Sequence, residues 1–297
     1  MSTLLLIDLP AVCAALLALL ACGTIGNWLV LRKESMSGDA IAHAVLPGLV
    51  TGYLVAGRHS VAAMFVGAAC AGLAAILVSR WIGRSARLEP GASLGIAFTA
   101  FFALGVALLE TQDARQVDLD PGCVLFGAIE TMFFVPPDAG PWYAGLPREF
   151  WTLGLAAAVS IAFSILCAKE LAASAFDPLH ARVSTSAPRA LDSVLLFIAS
   201  LAIVASFEAV GSLLVIALIA CPSLIAAPFA RGIVSRFAIG LSAGGALTIA
   251  GYALAAHAPS ILGTETALNA AGMIAVLLAL AVPAAHGLRA LVSRRPA

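Results

Sequence analysis

The feature that most restricts this chain is a series of apolar runs, each about twenty residues long, separated by short polar interruptions. A bilayer core about 30 Å thick is crossed by roughly 20 apolar residues in a helix. Of the 297 residues, 62% are hydrophobic and 11% are charged, whereas soluble domains are about half apolar and about a quarter charged. The chain is therefore predicted to be all-α, a polytopic transmembrane helical bundle in which residues 1–297 form one transmembrane domain.

Nine transmembrane spans are predicted from these runs, and the pattern is compatible with eight to ten. The predicted spans cover residues 10–31, 38–57, 60–83, 91–110, 150–168, 190–206, 210–230, 237–256 and 265–288. A shorter apolar stretch, 123–135, lies between Pro121 and Pro136, so it is predicted to be interfacial or re-entrant instead of spanning.

The basic residues predict the orientation, because loops rich in Lys and Arg stay in the cytoplasm. With nine spans, one side carries most of the Lys and Arg residues, and the other carries Arg58, Arg115 and Arg148. We therefore expect the N-terminus outside, the C-terminus in the cytoplasm, and the chain in the plasma (inner) membrane. The long outer segment 110–149 is acidic, so it either attracts cations or is simply a solvated loop.

The sequence lacks the features that several classes of protein function require. The formal net charge is zero, which argues against nucleic-acid binding. The sequence has no G-x-x-x-x-G-K-[ST] motif for an ATPase site, and no H-E-x-x-H or G-x-S-x-G motif for a hydrolase. It has no C-x-x-C pair for a thiolate metal site. We therefore expect a chain that is not an enzyme and holds no permanently bound cofactor.

Asp39 and His43 are candidate metal ligands, because ionisable side chains inside membrane spans are costly and usually functional. They are four residues apart, so on a helix they share one face. One carboxylate and one imidazole suit zinc, manganese or iron better than calcium or magnesium. The alternative is structural: Ser37 caps the helix, Asp39 favours the positive end of the helix dipole, and His43 hydrogen-bonds to a neighbour.

Two other features of the spans are candidates for a transport pathway. Pro47 and Gly48 follow His43, and we expect them to break the second span, as in the broken helices of transporters. Glu208 lies between two apolar runs near the predicted outer face. It is either an ordinary loop carboxylate or an outer-gate residue.

A resemblance to a known family then appears in residues 29–48, which read Leu-Val-Leu-Arg-Lys-Glu-Ser-Met-Ser-Gly-Asp-Ala-Ile-Ala-His-Ala-Val-Leu-Pro-Gly. This stretch resembles the signature of the ABC-3 family of metal-importer permeases. Three further segments, 118–127, 169–181 and 209–222, are similar to family segments in the same order. The resemblance therefore covers nearly the whole chain.

The resemblance implies partners and roles. The partners would be a cytoplasmic ABC ATPase dimer, a second permease chain that is either a copy or a relative, and an extracytoplasmic metal-binding protein. Asp39 and His43 match the family's membrane metal site, with manganese or zinc as the transported cargo. Residues 169–189 match its cytoplasmic coupling loop. The matching positions in this loop are Glu170, Phe176, Asp177, Pro178 and Ala181. Glu208 departs from the family, since many members have Gln there.

Two other function classes stay open at this point. A secondary metal transporter would work without an ATPase and use the same Asp39 and His43 as a proton relay. A chelate importer of similar architecture would need a wider and more apolar pathway. The ligand types do not choose between manganese, zinc and iron.

Overall fold

The computed structural model describes residues 8–57, 61–110, 129, 132, 134, 145–177, 188–262 and 268–293. Its helices, in chain order, are α1 (Leu9–Leu31), α2 (Met36–Ala56), α3 (Val61–Ala86), α4 (Pro90–Leu109), α5 (Arg148–Leu166), α6 (Ala168–Phe176), α7 (Pro188–Ala226), α8 (Ile233–Leu262) and α9 (Ala270–Ser293). Within these ranges, eight helices are long and apolar enough to cross a membrane, and α6 is too short. The predicted all-α transmembrane bundle is confirmed, and the chain is a multi-pass membrane protein.

The bundle is built around α1 and α7. Their apolar side chains supply most of the buried core, including Leu19, Ile25 and Trp28 on α1 and Leu195 and Ile203 on α7. Helices α4, α5, α8 and α9 lie further out and expose large apolar side chains, as a lipid environment allows.

Small residues allow the helices to approach closely. A Cβ on Gly26 of α1 would overlap the backbone carbonyl of Ile219 on α7. A Cβ on Gly48 of α2 would likewise overlap the backbone of Gly67 and Ala68 on α3. Backbones in direct contact replace the hydrophobic effect as a source of helix association in lipid. These glycines therefore determine which helices are neighbours.

Helix α7 reverses direction at Gly211, which has the non-helical angles φ 78° and ψ 164°. Ser206, before this residue, accepts a hydrogen bond from the Cys22 thiol of α1 over 3.2 Å. Leu218, twelve positions later, contacts Gly23, although a straight helix would carry it about 18 Å further along α1. The first limb (188–210) and the second limb (212–226) therefore run in opposite directions along α1.

The reversal defines two ends of the bundle. At one end, which we call the Arg32 end, Arg32 pairs with Asp192 at the start of the first limb. At the other, the Asp8 end, the Tyr252 hydroxyl donates a 2.9 Å hydrogen bond to Asp8. Because α9 packs against Gly251 near its own start, it runs away from Asp8 and ends at Ser293 near the Arg32 end.

The predicted spans 190–206 and 210–230 thus correspond to the two limbs of α7. The second limb is about 22 Å long, which is shorter than the hydrocarbon core of a bilayer. The eight spanning helices fall within the predicted range of eight to ten. The predicted membrane side of each terminus is not tested by this arrangement and stays a prediction.

Candidate functional site

Asp39 and His43 lie on one face of α2, in its first two turns. The His43 Nε2 atom is 3.4 Å from Asp39 Oδ1, and the two side chains are 34% and 37% exposed. Asp39 is in the first turn, where the helix dipole stabilises a carboxylate. The opposite face of α2, with Ile41 and Val45, is fully buried. The pair is therefore presented outward from the bundle on a rigid helix.

Two phenylalanines of α4 hold the imidazole of His43. The ring of Phe98 stacks on it with centroids 5.2 Å apart, and the ring of Phe102 meets it edge-on at 5.9 Å. Phe98 and Phe102 are themselves four residues apart, so an i, i+4 pair on α4 faces the i, i+4 pair on α2. Sequence reasoning missed both aromatic residues. Their spacing of four was the available signal, but nothing local indicates which helix they face.

The break predicted at Pro47 and Gly48 is not found, because α2 is helical through residues 36–56 with Pro47 inside it. This segment is closely packed: Gly48 lies against α3, and Gly105 of α4 lies against the Pro47 ring. Proline has no N–H, so the carbonyl of His43 loses its usual helical donor. This backbone oxygen belongs to the same residue as the imidazole.

The pair supplies an incomplete ligand set. In the ranges that the structure describes, no group of three or more His, Cys, Asp or Glu side chains is placed to hold a metal ion. A structural zinc site has four ligands, and manganese prefers more. A metal bound here would therefore take its other ligands from water, from backbone or from another chain.

Glu208 is not part of this group. It lies at the far end of the first limb of α7, three residues before Gly211, and pairs with Arg148 at the start of α5. Arg148 also lies 3.5 Å from Glu149. The interaction joins α5 to α7 at the Asp8 end, so Glu208 has an ion-pair partner and is not a bare loop carboxylate. Its outer-gate role stays a prediction.

The predicted coupling residues are partly described. Glu170 and Phe176 lie on α6, which follows a bend at Cys167 and packs through the buried Leu171. Phe176 is exposed, and Asp177 directly follows the end of α6. Burial raises the pKa of the Cys167 thiol, and the neighbouring carboxylate of Glu170 raises it further. Pro178 and Ala181 lie outside the described residues.

The structure adds an ion-pair network at the Arg32 end. Arg32 pairs with Asp192 and lies 3.8 Å from Glu34, which accepts a 3.2 Å hydrogen bond from Arg80. The Arg32 side chain is only 8% exposed, so this guanidinium is almost completely buried. The network joins the α1–α2 turn to α3 and to the start of α7. Its members Arg32 and Glu34 directly precede the beginning of α2.

Comparisons with known proteins agree with these features. The model of the ABC 3 transport family matches residues 6–283. The "Zinc transport system membrane protein TroD" of Treponema pallidum (strain Nichols) is 34% identical over 215 residues, which are 72% of this chain and 58% of TroD. The match therefore spans less than two thirds of the length of TroD.

Two further comparisons cover more of the other protein. The "Manganese transport system membrane protein MntD" of Bacillus subtilis (strain 168) is 32% identical over 237 residues, 78% of each chain. A chain in the structure of "PsaBC from Streptococcus pneumoniae in complex with Fab" superposes with a TM-score of 0.73 at 22% identity, over 93% of this chain and 90% of that one. At this identity the likeness shows a shared fold.

Proposed function

Because the chain belongs to the ABC 3 transport family, we propose that it is the membrane-spanning permease of an ATP-driven importer that moves a divalent transition metal, manganese or zinc, into the cytoplasm. The observation that carries the proposal is the Asp39–His43 pair, in which His43 Nε2 and Asp39 Oδ1 lie 3.4 Å apart on one face of α2. Relatives named for zinc and manganese transport support the metal class. ATP hydrolysis belongs to a separate ATPase dimer, since the sequence has no phosphate-binding loop.

The pair binds the ion only transiently. Asp39 contributes a carboxylate oxygen and His43 contributes a neutral imidazole nitrogen, a ligand mix that suits manganese, zinc and iron. The backbone carbonyl of His43, which lacks its usual helical donor, is a third candidate ligand. Phe98 fixes the imidazole by stacking on it, so the ion is positioned without a complete ligand shell. An incomplete shell favours release as well as capture.

A second permease chain completes the site. The pair is about one-third exposed and faces away from the bundle core, on the side where α4 is also exposed. In a dimer with twofold symmetry, the same face of each copy meets at the axis. Two copies of the pair would then offer two carboxylates and two imidazoles to one pathway. A related but different second chain would serve in the same way if it carried the same residue types.

A conformational change that follows the nucleotide state of the ATPase is transmitted to α2 through the Arg32 end. The coupling loop leads directly into α7, and Asp192 in the second turn of α7 pairs with Arg32. Arg32 and Glu34 belong to the turn that begins α2. A shift of the coupling loop therefore moves the start of the helix that carries Asp39.

The test is uptake of radioactive manganese and zinc by cells that express the chain with an ATPase and a metal-binding protein. Wild type is compared with Asp39→Ala and His43→Ala, and with His286→Ala as a matched control, since His286 is exposed on α9. The proposal expects both site variants to lose uptake while the complex still assembles, and His286→Ala to retain it. Persistent uptake in both site variants would show that the pair is not the site.

The same assay separates the alternatives. If wild type moves neither metal, the cargo assignment is wrong. If uptake proceeds without the ATPase, the chain is a secondary transporter. If only a metal chelate is taken up and free metal does not compete, the chain is a chelate importer.

A further inference from the structure

A polar cavity of about 500 Å³ lies at the Arg32 end, between the α1–α2 turn, α3 and the beginning of α4. Five charged residues line it: Lys33, Glu34, Arg80, Arg84 and Asp192. Ser37, Ser79 and Ser93 add hydroxyl groups, and Met36 and Leu88 add apolar surface. The cavity is separate from the Asp39–His43 pair, which does not line it.

The charges around this cavity do not balance. Asp192 is paired with Arg32, and Glu34 is paired with Arg80 and approached by Arg32, so two carboxylates are matched by two guanidiniums. Lys33 and Arg84 have no acidic partner within the part of the chain that the structure describes. Two positive charges are therefore left over on the cavity wall.

Two helix N-termini add to the positive potential. Helices α2 and α4 both begin at the cavity, and a Cβ on Gly91 would lie 4.0 Å from the Met36 sulfur, so the two starts are neighbours. For the described residues, neither Ser35 nor Glu89 caps its helix with a side-chain hydrogen bond. The Ser37 and Gly38 N–H groups of α2 already donate to the carbonyls of Glu34 and Ser35. Because Pro90 has no N–H, the Gly91 N–H at the start of α4 remains as a backbone donor on the cavity wall. The dipoles of both helices favour negative charge at the same place.

The surroundings of the cavity are those of a membrane interface. Trp81, on the adjoining turn of α3, is 68% exposed, and tryptophan is enriched where the hydrocarbon meets the headgroups. Leu77 of α3 and Ile96 of α4 are half exposed and extend the apolar surface along the helices. A phospholipid at this position can put its chains on the apolar surface and its phosphate in the cavity. Basic pockets between transmembrane helices are known sites for such headgroups.

We propose that this cavity binds the phosphate group of an anionic phospholipid, with Lys33 and Arg84 as its cationic partners and the Gly91 N–H at the start of α4 as a hydrogen-bond donor. Binding of one phosphodiester, with its single negative charge, offsets one of the two surplus positive charges at the start of the helix that carries Asp39. The surplus also makes the cavity a poor route for a divalent cation. The proposal does not depend on which ion the chain moves.

The experiment measures lipid binding to the purified full-length chain by native mass spectrometry, with phosphatidylglycerol and phosphatidylcholine added in turn. The test variant is Lys33→Gln combined with Arg84→Gln. The matched control is Arg87→Gln, which removes an exposed cation from the same α3–α4 turn but does not line the cavity. We expect wild type and Arg87→Gln to retain phosphatidylglycerol, and the double variant to bind it at least about tenfold more weakly.

A charge-preserving double variant shows whether weaker binding comes from loss of charge or from misfolding. Lys33→Arg combined with Arg84→Lys is expected to bind phosphatidylglycerol within about twofold of wild type, since both charges remain. Equal retention of phosphatidylglycerol by the Gln double variant and wild type would overturn the proposal. Retention of phosphatidylcholine by wild type to the same extent as phosphatidylglycerol would also overturn it. Displacement of phosphatidylglycerol by millimolar inorganic phosphate would show that the site takes free phosphate, and would overturn the lipid assignment.

Discussion

His43 is held from three sides, by Asp39 on its own helix and by two aromatic rings of α4. Asp39 lies 3.4 Å from Nε2, and Phe98 and Phe102 lie 5.2 Å and 5.9 Å from the ring centre. The aromatic contacts restrict the rotation of the imidazole, while the carboxylate lies beside the nitrogen that would bind a metal. Phe98 is therefore a positioning residue that acts through His43.

Phe98→Ala is expected to weaken the apparent affinity for transported metal by about two- to tenfold, because an aromatic stack contributes about 0.5–1.5 kcal/mol. The effect should appear in the KM of uptake more than in its maximum rate. Phe98→Tyr should restore the wild-type value. Uptake kinetics with manganese and zinc measure both parameters.

The control for this variant is Ile96→Ala, which removes a half-exposed side chain from the opposite side of α4. Its KM should match that of wild type. An unchanged KM in Phe98→Ala would mean that the stack does not position the ligand.

At the scale of the helices, the reversal of α7 depends on Gly211. Its angles, φ 78° and ψ 164°, belong to a region that essentially only glycine adopts. A side chain there is strained whatever space surrounds it. The reversal places Ser206 and Leu218 beside consecutive residues of α1, so the strain would disturb the centre of the bundle.

Gly211→Ala is expected to destabilise the fold by about 1–3 kcal/mol, the cost of holding a non-glycine residue in this region. Gly154→Ala is the matched control, because a Cβ at Gly154 on α5 meets open space. Thermal unfolding of the purified chain, followed by fluorescence, should show a lower midpoint for the first variant alone. Equal midpoints would mean that α7 does not need glycine to reverse.

The contact between α1 and the second limb of α7 makes a separate prediction. Gly26→Ala would drive a Cβ into the Ile219 carbonyl, and overpacking of this kind costs about 1–3 kcal/mol. Gly95→Ala on α4 meets nothing within 4 Å, so it should be neutral or slightly stabilising through helix propensity. The yield of folded protein on size exclusion compares the two. If Gly26→Ala folds as well as Gly95→Ala, the close contact is not a requirement.

These elements also show what the sequence can predict. The shared face of Asp39 and His43 follows from the helical repeat alone, and the structure confirms it. The boundary between two limbs near Glu208 was predicted because a charge interrupts the apolar run. The break at Pro47 was predicted wrongly, because the packing of Gly48 and Gly105 that keeps α2 helical depends on α3 and α4. Contacts between distant segments, such as His43 with Phe98, leave no local pattern.

For the whole molecule, the distribution of charge supports the predicted orientation. The Arg32 end carries Arg32, Lys33, Arg80, Arg84 and Arg236, whereas Arg148 lies at the Asp8 end with Glu208. Basic residues are retained on the cytoplasmic side during insertion. We therefore expect the Arg32 end to face the cytoplasm, where the ATPase dimer would meet α6 and the coupling loop.

Cysteine labelling tests this orientation together with the reversal of α7. In a cysteine-free background, Arg231→Cys and Arg87→Cys should react with a membrane-impermeant maleimide only after the cells are opened, and Glu110→Cys should react in intact cells. Arg231 is decisive, because it follows the second limb of α7: if α7 crossed the membrane once without reversing, residue 231 would lie on the same side as Glu110. Labelling of Arg231→Cys in intact cells, with Arg87→Cys still protected, would contradict the reversal. If Glu110→Cys were protected in intact cells and the other two variants were labelled, the bundle would have the opposite orientation in the membrane. The coupling segment would then lie outside, where no ATPase could reach it.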